Sequence, residues 1–238
     1  MINNPDTIII VHCYDGDAAQ VKFMMPHYEH HKCPIIIMSP EDAPVVKMGP
    51  HICRTGGKRA YVGPLSLERQ RIHLQIMLEY PGKYFVCHDA DSVCLEPQFP
   101  SYFYNESDVL WSNEVSDLMH ARPDTYSWPR LAFQPPYFFS RPTIEKLIAA
   151  SYRVPCEPQT PFIDWCLLAW CVDAGIPHKN VPDGASCPTS DRESLSVMND
   201  LVRNHGRFWI HSVKSRQVLA LLAQSRQYFV RAHKKYAR

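Results

Sequence analysis

Short apolar runs of strand length alternate with longer, helix-like segments in the first third of the chain. Residues 7–11, 34–38 and 84–87 are rich in β-branched or aromatic side chains, a composition typical of buried strands. Residues 18–28 lie between the first two runs and have helix length. A strand, a helix-length crossover and a second strand predict a parallel α/β unit.

Three further helices and several further strands follow from the same pattern. Residues 65–80 carry apolar side chains at spacings of three and four, after Pro64 and before a Pro-Gly break, which predicts an amphipathic helix. Proline and glycine punctuation predicts two more helices, at 142–152 and 162–174. Apolar runs also predict strands at 108–113, 176–181 and 208–210. The basic, glycine-containing stretch 51–63 is interpreted as a mobile loop that closes over a ligand.

Two carboxylates follow the strand at 84–87. Asp89 and Asp91 are one residue apart, and in extended geometry residues i and i+2 point to the same side. Adjacent carboxylates repel each other unless a cation lies between them, and Mg²⁺ or Mn²⁺ binds such carboxylates together with substrate phosphates. The pattern predicts a metal–diphosphate site at a strand end. An acidic turn in which Asp91 caps a helix is the alternative.

Other candidate binding residues follow from the predicted sheet. Ligands of parallel α/β sheets bind beyond the carboxyl ends of the strands, where Tyr14, Asp15 and Asp17 come after the first strand. Arg69, in the first half of the helix at 65–80, is a candidate phosphate ligand. A solvated turn and a solvated helix face are the alternatives for these residues.

A cluster of metal-ligating residue types occurs near the end of the first predicted helix. It contains His27, His30, His31 and Cys33. The spacing fits no common zinc pattern, so we interpret the cluster as a helix end rich in histidine.

Composition narrows the class of protein. The 238 residues suit one large α/β domain, and 45% hydrophobic and 21% charged residues are ordinary for a globular protein. The net charge of +1 argues against a nucleic-acid partner. The first six residues carry no basic stretch typical of a secretory signal. The nine scattered cysteines are therefore interpreted as reduced thiols of a cytoplasmic protein.

The order of these parts resembles the nucleotide-sugar glycosyltransferases of the GT-A fold. The matching stretches are 7–17, 65–91, 164–176 and 210–214, so the resemblance spans about residues 7–214. It implies an α/β fold of GT-A-like, Rossmann-like type, with a mixed, mostly parallel sheet flanked by helices. It also implies a single domain over 1–238, with a basic helical segment at 215–238.

The resemblance implies roles for residues that match the family pattern. In that family the D-x-D, here Asp89 and Asp91, binds Mn²⁺ or Mg²⁺ and the donor diphosphate. The late I-H-S-V-K stretch makes His211 a metal ligand and Lys214 a phosphate ligand. Asp164, at the start of an apolar helix, matches the catalytic base. A nucleotide diphosphate-sugar, with UDP-sugars favoured, is the implied donor, and a glycan, a protein or a lipid-linked molecule is the implied acceptor.

Two other functions fit parts of the pattern. Residues 89–93 match the D-x-D-x-[T/V] motif of haloacid-dehalogenase-like phosphatases, in which the first aspartate, here Asp89, is the nucleophile. That strand normally lies near the N-terminus of the core, whereas two predicted strands precede it here. A non-catalytic nucleotide- or carbohydrate-binding protein on the same fold is the second alternative.

The C-terminal segment 214–238 is basic, contains no acidic residue and has apolar positions at roughly helical spacing. A basic amphipathic helix can make peripheral contact with an anionic membrane surface. A terminal helix that packs its narrow apolar stripe on the domain explains the same pattern and is the favoured interpretation.

Overall fold

The computed structural model describes residues 4, 6–13, 18–60, 63–94, 98–106, 108–117, 131–154, 163–181, 184–186 and 209–211. Five helices lie in these ranges: α1 Ala18–Glu29, α2 Pro64–Leu78, α3 Tyr102–Asn105, α4 Arg141–Arg153 and α5 Ile163–Asp173. The first five strands are β1 Thr7–His12, β2 Ile35–Ser39, β3 Ile52–Thr55, β4 Tyr84–Asp89 and β5 Val93–Cys94. The others are β6 Leu110–Asp117, β7 Leu131–Ser140, β8 His178–Asn180, β9 Gly184–Ser186 and β10 Trp209–His211.

The main sheet has seven strands in the order β3-β2-β1-β4-β7-β6-β8. The strands β3, β2, β1 and β4 are parallel, β7 is antiparallel to both of its neighbours, and β8 is parallel to β6. Six of these seven strands therefore point the same way, and their carboxyl ends meet at one edge, called the carboxyl edge below. The predicted α/β fold with a mixed, mostly parallel sheet is confirmed.

Helices cover both faces of this sheet because side chains alternate along each strand. On one face, Ile9, Val11 and Val86 pack with α1 and with the short helix α3. On the other face, Ile10 and Phe85 pack with α2, α4 and α5. Apolar residues are buried on both sides, which explains why the central strands read as continuous apolar runs rather than as alternating patterns.

The strands and helices predicted between residues 7 and 210 are present, with bounds shifted by a few residues. The predicted basic helical segment 215–238 lies outside the described residues. The interpretation of 51–63 as a loop is wrong at Ile52–Thr55, which forms β3 beside β2. The residues after β3 are held in place, because Gly57 N–H donates to Glu41 Oε1 (3.2 Å) and Glu41 N–H donates to the Gly57 carbonyl (2.9 Å). An exposed edge strand of four residues carries too few apolar side chains to be found by pattern.

Two apolar runs, with Gln134-Pro135-Pro136 between them, form the single strand β7. Proline cannot donate to a strand ladder. The two prolines lie where the pairing between β6 and β7 shifts register, next to the pair Ser112–Tyr137. The irregularity accommodates residues that would otherwise break a central strand.

A second, three-stranded sheet has the order β5-β10-β9. Strand β5 follows β4 after a short turn and pairs antiparallel with β10. Strand β10 also pairs parallel with β9. This small sheet therefore joins the end of β4 to a late part of the chain. Within the described ranges, no helix has both the length and the apolar character that a membrane span requires.

Candidate active site

The D-x-D residues lie at the carboxyl edge, in a turn between β4 and β5. Asp89 is the last residue of β4 and pairs in register with His12, the last residue of β1. The N–H of Ala90 donates to the His12 carbonyl (3.0 Å), and the N–H of Ser92 donates to the Asp89 carbonyl (3.0 Å). Residues Asp89 to Ser92, called the D-x-D turn below, are thus hydrogen-bonded to each other and to β1.

The expected geometry of the two carboxylates needs one correction. Asp89 is in strand conformation, but Asp91 lies in the turn, so the alternation of an extended chain does not align their side chains. Both residues are half-buried, and the Oδ1 atom of each is shielded from solvent. Both carboxylates are close enough to Tyr28 to raise the pKa of its hydroxyl, after the larger effect of burial. Both acids therefore lie near Tyr28, one at the end of the strand and the other in the turn.

Tyr28 of α1 lies directly beneath the D-x-D turn. Its hydroxyl donates to the carbonyl oxygens of Asp89 and Ser92, both at 3.3 Å. Its ring is 1% exposed and contacts the His88 ring, with centroids 5.3 Å apart. A hydroxyl from a different element therefore contacts both ends of the turn.

Three buried basic side chains lie on the other side of the sheet, at the same edge. They are His12 of β1 and Arg69 and His73 of α2. The rings of His12 and His73 have centroids 4.8 Å apart, and His73 Nε2 is 3.2 Å from the Gly56 carbonyl. Burial, with the charge of Arg69 as a second cause, lowers the pKa of His12 to about 3. Burial, His12 and Arg69 lower the pKa of His73 well below its usual value.

The end of β3 covers this basic group. Gly56 and Gly57 are buried, and a Cβ atom at Gly57 would lie 3.0 Å from both Cα and Cβ of Arg69. A Cβ at Gly56 would lie 3.1 Å from the His73 ring. The two glycines therefore allow the chain to approach α2 closely, and they leave Arg69 only 2% exposed.

The small sheet brings the strand of His211 to the D-x-D turn. Ile210 pairs with Val93 and Trp209 pairs with Cys94, so the antiparallel register places His211 opposite Ser92, next to Asp91 in sequence. The structure describes His211 by its backbone alone. Its role as a metal ligand stays a prediction.

The residues present fit a hard divalent cation. The carboxylates of Asp89 and Asp91 supply oxygen ligands of the kind that Mg²⁺ and Mn²⁺ prefer. Among the described side chains, no group of three His, Cys, Asp or Glu residues is arranged to hold a metal ion. The side chain of the predicted third ligand, His211, is not among them.

Other predicted site residues lie outside the described part of the chain. These are Tyr14, Asp15, Asp17 and Lys214. Asp164 is the second residue of α5, so its place in the first helical turn is as expected, but its side chain is not described.

The histidine-rich end of α1 is packed against other segments. The His31 ring stacks on Phe99, with centroids 4.6 Å apart, and His31 is 1% exposed. Cys33 Sγ donates to the His31 carbonyl (3.5 Å). These contacts agree with a packed helix end.

Sequence reasoning missed three residues of this edge. Tyr28, His12 and His73 were not singled out, although His12 directly follows the first apolar run. A polar residue at the end of a buried strand was a usable signal for His12. No local signal marks Tyr28 or His73. Tyr28 contacts a residue 61 positions away in the chain, and His73 contacts one 17 positions away.

Comparison with known proteins gives structural likenesses only. No protein family profile matches the chain, and no curated protein sequence matches it. A solved glycosyltransferase involved in the glycosylation of the major capsid of PBCV-1 is 12% identical, with a TM-score of 0.49, over 94% of this chain and 98% of that chain.

Two other solved structures are similar at the same distant level. A mutant Drosophila beta-1,4-galactosyltransferase 7 in complex with manganese, UDP-Gal and xylobiose is 9% identical, over 74% of this chain and 65% of that chain, with a TM-score of 0.43. The 4-diphosphocytidyl-2C-methyl-D-erythritol synthase of Anaerococcus prevotii is 12% identical, over 82% and 97%, with a TM-score of 0.44. These likenesses concern the course of the chain and not the residues of the site.

Proposed function

We propose that the protein is a metal-dependent glycosyltransferase that moves a sugar from a nucleotide diphosphate-sugar to a hydroxyl acceptor. One observation carries the proposal. The D-x-D turn holds two carboxylates with solvent-shielded Oδ1 atoms at the edge where the carboxyl ends of six strands meet. Ligands of open α/β sheets bind at that edge, and paired carboxylates there suit a metal with a bound diphosphate.

In this proposal Asp89 and Asp91 hold Mn²⁺ or Mg²⁺, with His211 as a further ligand. The metal, when bound, stabilises the negative charge that develops on the departing nucleotide diphosphate. Tyr14, Asp15 and Lys214 contact the donor, for which a UDP-sugar is the favoured candidate. A glycan, a protein or a lipid-linked molecule is the acceptor.

Arg69 acts on the donor through its charge in this proposal. Its guanidinium is almost completely buried, so a direct contact with phosphate requires the Gly56–Gly57 segment to move. A buried cation near the carboxyl edge nevertheless makes the potential there more positive, and low-dielectric surroundings strengthen that effect. The charge favours an anionic diphosphate at this edge.

Asp164 is proposed as the base of an inverting transfer. An acceptor hydroxyl is a weak nucleophile, and a carboxylate within hydrogen-bond reach removes its proton as the bond to the anomeric carbon forms. The first turn of α5 carries positive helix-end potential that keeps an aspartate ionised. An ionised carboxylate is the form that can accept the proton.

The proposal is tested by assaying transfer and hydrolysis of a UDP-sugar panel with Mn²⁺. We expect Asp91→Asn and Asp164→Asn each to lower the transfer rate by about 100-fold or more. The matched control is Asp108→Asn, because Asp108 is an exposed aspartate whose contact is an ion pair with Lys146 (3.6 Å). That variant should stay within about twofold of wild type.

Other results would contradict parts of the proposal. Full activity of Asp91→Asn in Mn²⁺ would contradict the assignment of the metal site. Full activity of Asp164→Asn would contradict its assignment as the base. Phosphate release from p-nitrophenyl phosphate that is lost in Asp89→Asn, without any sugar transfer, would indicate the phosphatase alternative. Tight UDP binding with no turnover of any donor would indicate a binding protein.

A further inference from the structure

We propose that Tyr28 is a positioning residue that fixes the D-x-D turn in the shape that binds the metal. The inference rests on the proposed function, because it assigns the turn to a divalent cation. It adds a residue from α1, far from the turn in sequence, to the residues that determine metal affinity. Tyr28 itself acts through the turn and does not touch the metal.

The hydrogen bonds of the Tyr28 hydroxyl define this role. The hydroxyl is within 3.3 Å of the Asp89 carbonyl at the start of the turn and within 3.3 Å of the Ser92 carbonyl at its end. The turn's own hydrogen bond, from Ser92 N–H to the Asp89 carbonyl, joins the same two residues. A single donor thus holds both ends of a four-residue segment whose other members include Asp91.

The Tyr28 ring is itself held in place. It is fully buried in the core of its face and contacts the His88 ring. His88 Nε2 is 3.6 Å from Cys94 Sγ, so the residue before Asp89 is joined to β5, the strand after the turn. The position of the hydroxyl is therefore set by the core, and the turn takes its position from the hydroxyl.

The same contact acts on the predicted third ligand. Strand β5 begins directly after Ser92 and pairs with β10, the strand of His211. Fixing the Ser92 carbonyl therefore fixes the start of β5, and with it the register between the turn and β10. Groups that orient metal ligands without binding the metal commonly change metal affinity by about 10–100-fold.

The test compares two variants that each lose one tyrosine hydroxyl. Tyr28→Phe keeps the buried ring and removes the donor to both carbonyls. Tyr104→Phe is the matched control, because the Tyr104 hydroxyl is also part-buried and hydrogen-bonded, to Thr7 Oγ1 (3.2 Å), at the opposite end of β1. Two quantities are measured on the full chain: hydrogen exchange of the Ser92 amide without metal, and the Kd for Mn²⁺ by electron paramagnetic resonance.

We expect Tyr28→Phe to speed exchange of the Ser92 amide by about tenfold, since one hydrogen-bonding group is lost. We also expect it to raise the Kd for Mn²⁺ by about tenfold. Tyr104→Phe should change neither quantity, although both variants lower the unfolding midpoint slightly. A structural role alone would lower the midpoint and leave the Kd for Mn²⁺ as it is.

The failure of this inference is distinguishable from failure of the proposed function. Suppose that Tyr28→Phe and Tyr104→Phe have the same exchange rate of the Ser92 amide and the same Kd for Mn²⁺, while Asp91→Asn no longer binds Mn²⁺. The role of Tyr28 is then overturned and the metal site stands. Faster exchange with unchanged Mn²⁺ affinity also overturns it. If wild type and Asp91→Asn bind Mn²⁺ equally poorly, the metal site fails and the role of Tyr28 fails with it.

Discussion

His12 and His73 show how single residues at the carboxyl edge depend on their surroundings. Both rings are buried, and burial together with the charge of Arg69 keeps them neutral. A neutral imidazole adds no second or third positive charge beside a buried guanidinium, which would be costly in a low-dielectric region. The two histidines therefore pack beside Arg69 as uncharged groups at neutral pH.

This arrangement predicts a pH-dependent stability. The pKa of His12 falls from 6.5 in the unfolded chain to about 3 in the folded protein, and that of His73 falls too. The unfolded state therefore binds more protons below pH 6.5, so the free energy of unfolding decreases as the pH falls from about 6.5 toward 3. Each histidine contributes a slope of at most about 1.4 kcal/mol per pH unit.

Urea denaturation between about pH 7 and pH 5 measures the slope. His73→Gln should flatten it by about 1 kcal/mol per pH unit. His178→Gln is the control. His178 is an exposed residue, and although partial burial lowers its pKa too, its removal should leave most of the slope. An unfolding free energy that stays constant over this range in wild type would contradict the neutral, buried state of both rings.

At the scale of elements, the packing of β3 against α2 decides the shape of the carboxyl edge. The chain leaves β3 through Gly56 and Gly57 and then contacts the face of α2 that carries Arg69. Gly57 has a φ of +70°, a conformation that other residues adopt at a cost. Close approach and left-handed geometry together require glycine at this position.

We therefore expect Gly57→Ala to lower the free energy of unfolding by about 2–3 kcal/mol, from backbone strain plus crowding against Arg69. Gly49→Ala is the matched control, because Gly49 has a φ of +58° and a Cβ there would meet no atom within 4 Å. It should lose only about 1 kcal/mol. If chemical denaturation shows the same loss of unfolding free energy in both variants, crowding against α2 contributes nothing.

At the scale of the whole molecule, Arg141 joins the helical layer to the sheet. From the start of α4 its guanidinium donates to the carbonyls of Gly82 (2.9 Å) and Leu78 (3.1 Å), and also to that of Tyr80. It also lies over the Phe85 ring, 5.7 Å from the centroid. One side chain thus donates hydrogen bonds to three carbonyls in the segment that joins the end of α2 to the start of β4.

Arg141→Lys should lower the free energy of unfolding by about 2 kcal/mol, since an ammonium cannot donate to three separated carbonyls from a planar fork. The control is Arg153→Lys. Arg153 forms an ion pair with Asp173 (2.6 Å) and its side chain is 55% exposed, so the loss there should be below about 0.5 kcal/mol. A loss in Arg141→Lys as small as in the control, measured by urea denaturation, would contradict this role.

Local patterns along the chain were enough to predict part of the fold. Buried parallel strands are continuous apolar runs, so β1, β2 and β4 were predictable, and proline and glycine marked the helices α2, α4 and α5. The position of Asp89 at a strand end followed from the same pattern. The exposed strand β3 and the two-residue strand β5 were not predictable, because neither buries enough apolar residues to produce a pattern.

The assembly of the carboxyl edge depends on contacts between elements, which local patterns do not reveal. The Tyr28 hydroxyl beneath the D-x-D turn and the His12–His73 contact both join segments that are distant in sequence. The sequence predicts Arg69 as a phosphate ligand on an exposed helix face. In the structure, the two glycines that follow β3 cover it. Local patterns record which face of an element is apolar. They do not record which polar groups a neighbouring element will cover, because that depends on packing between elements.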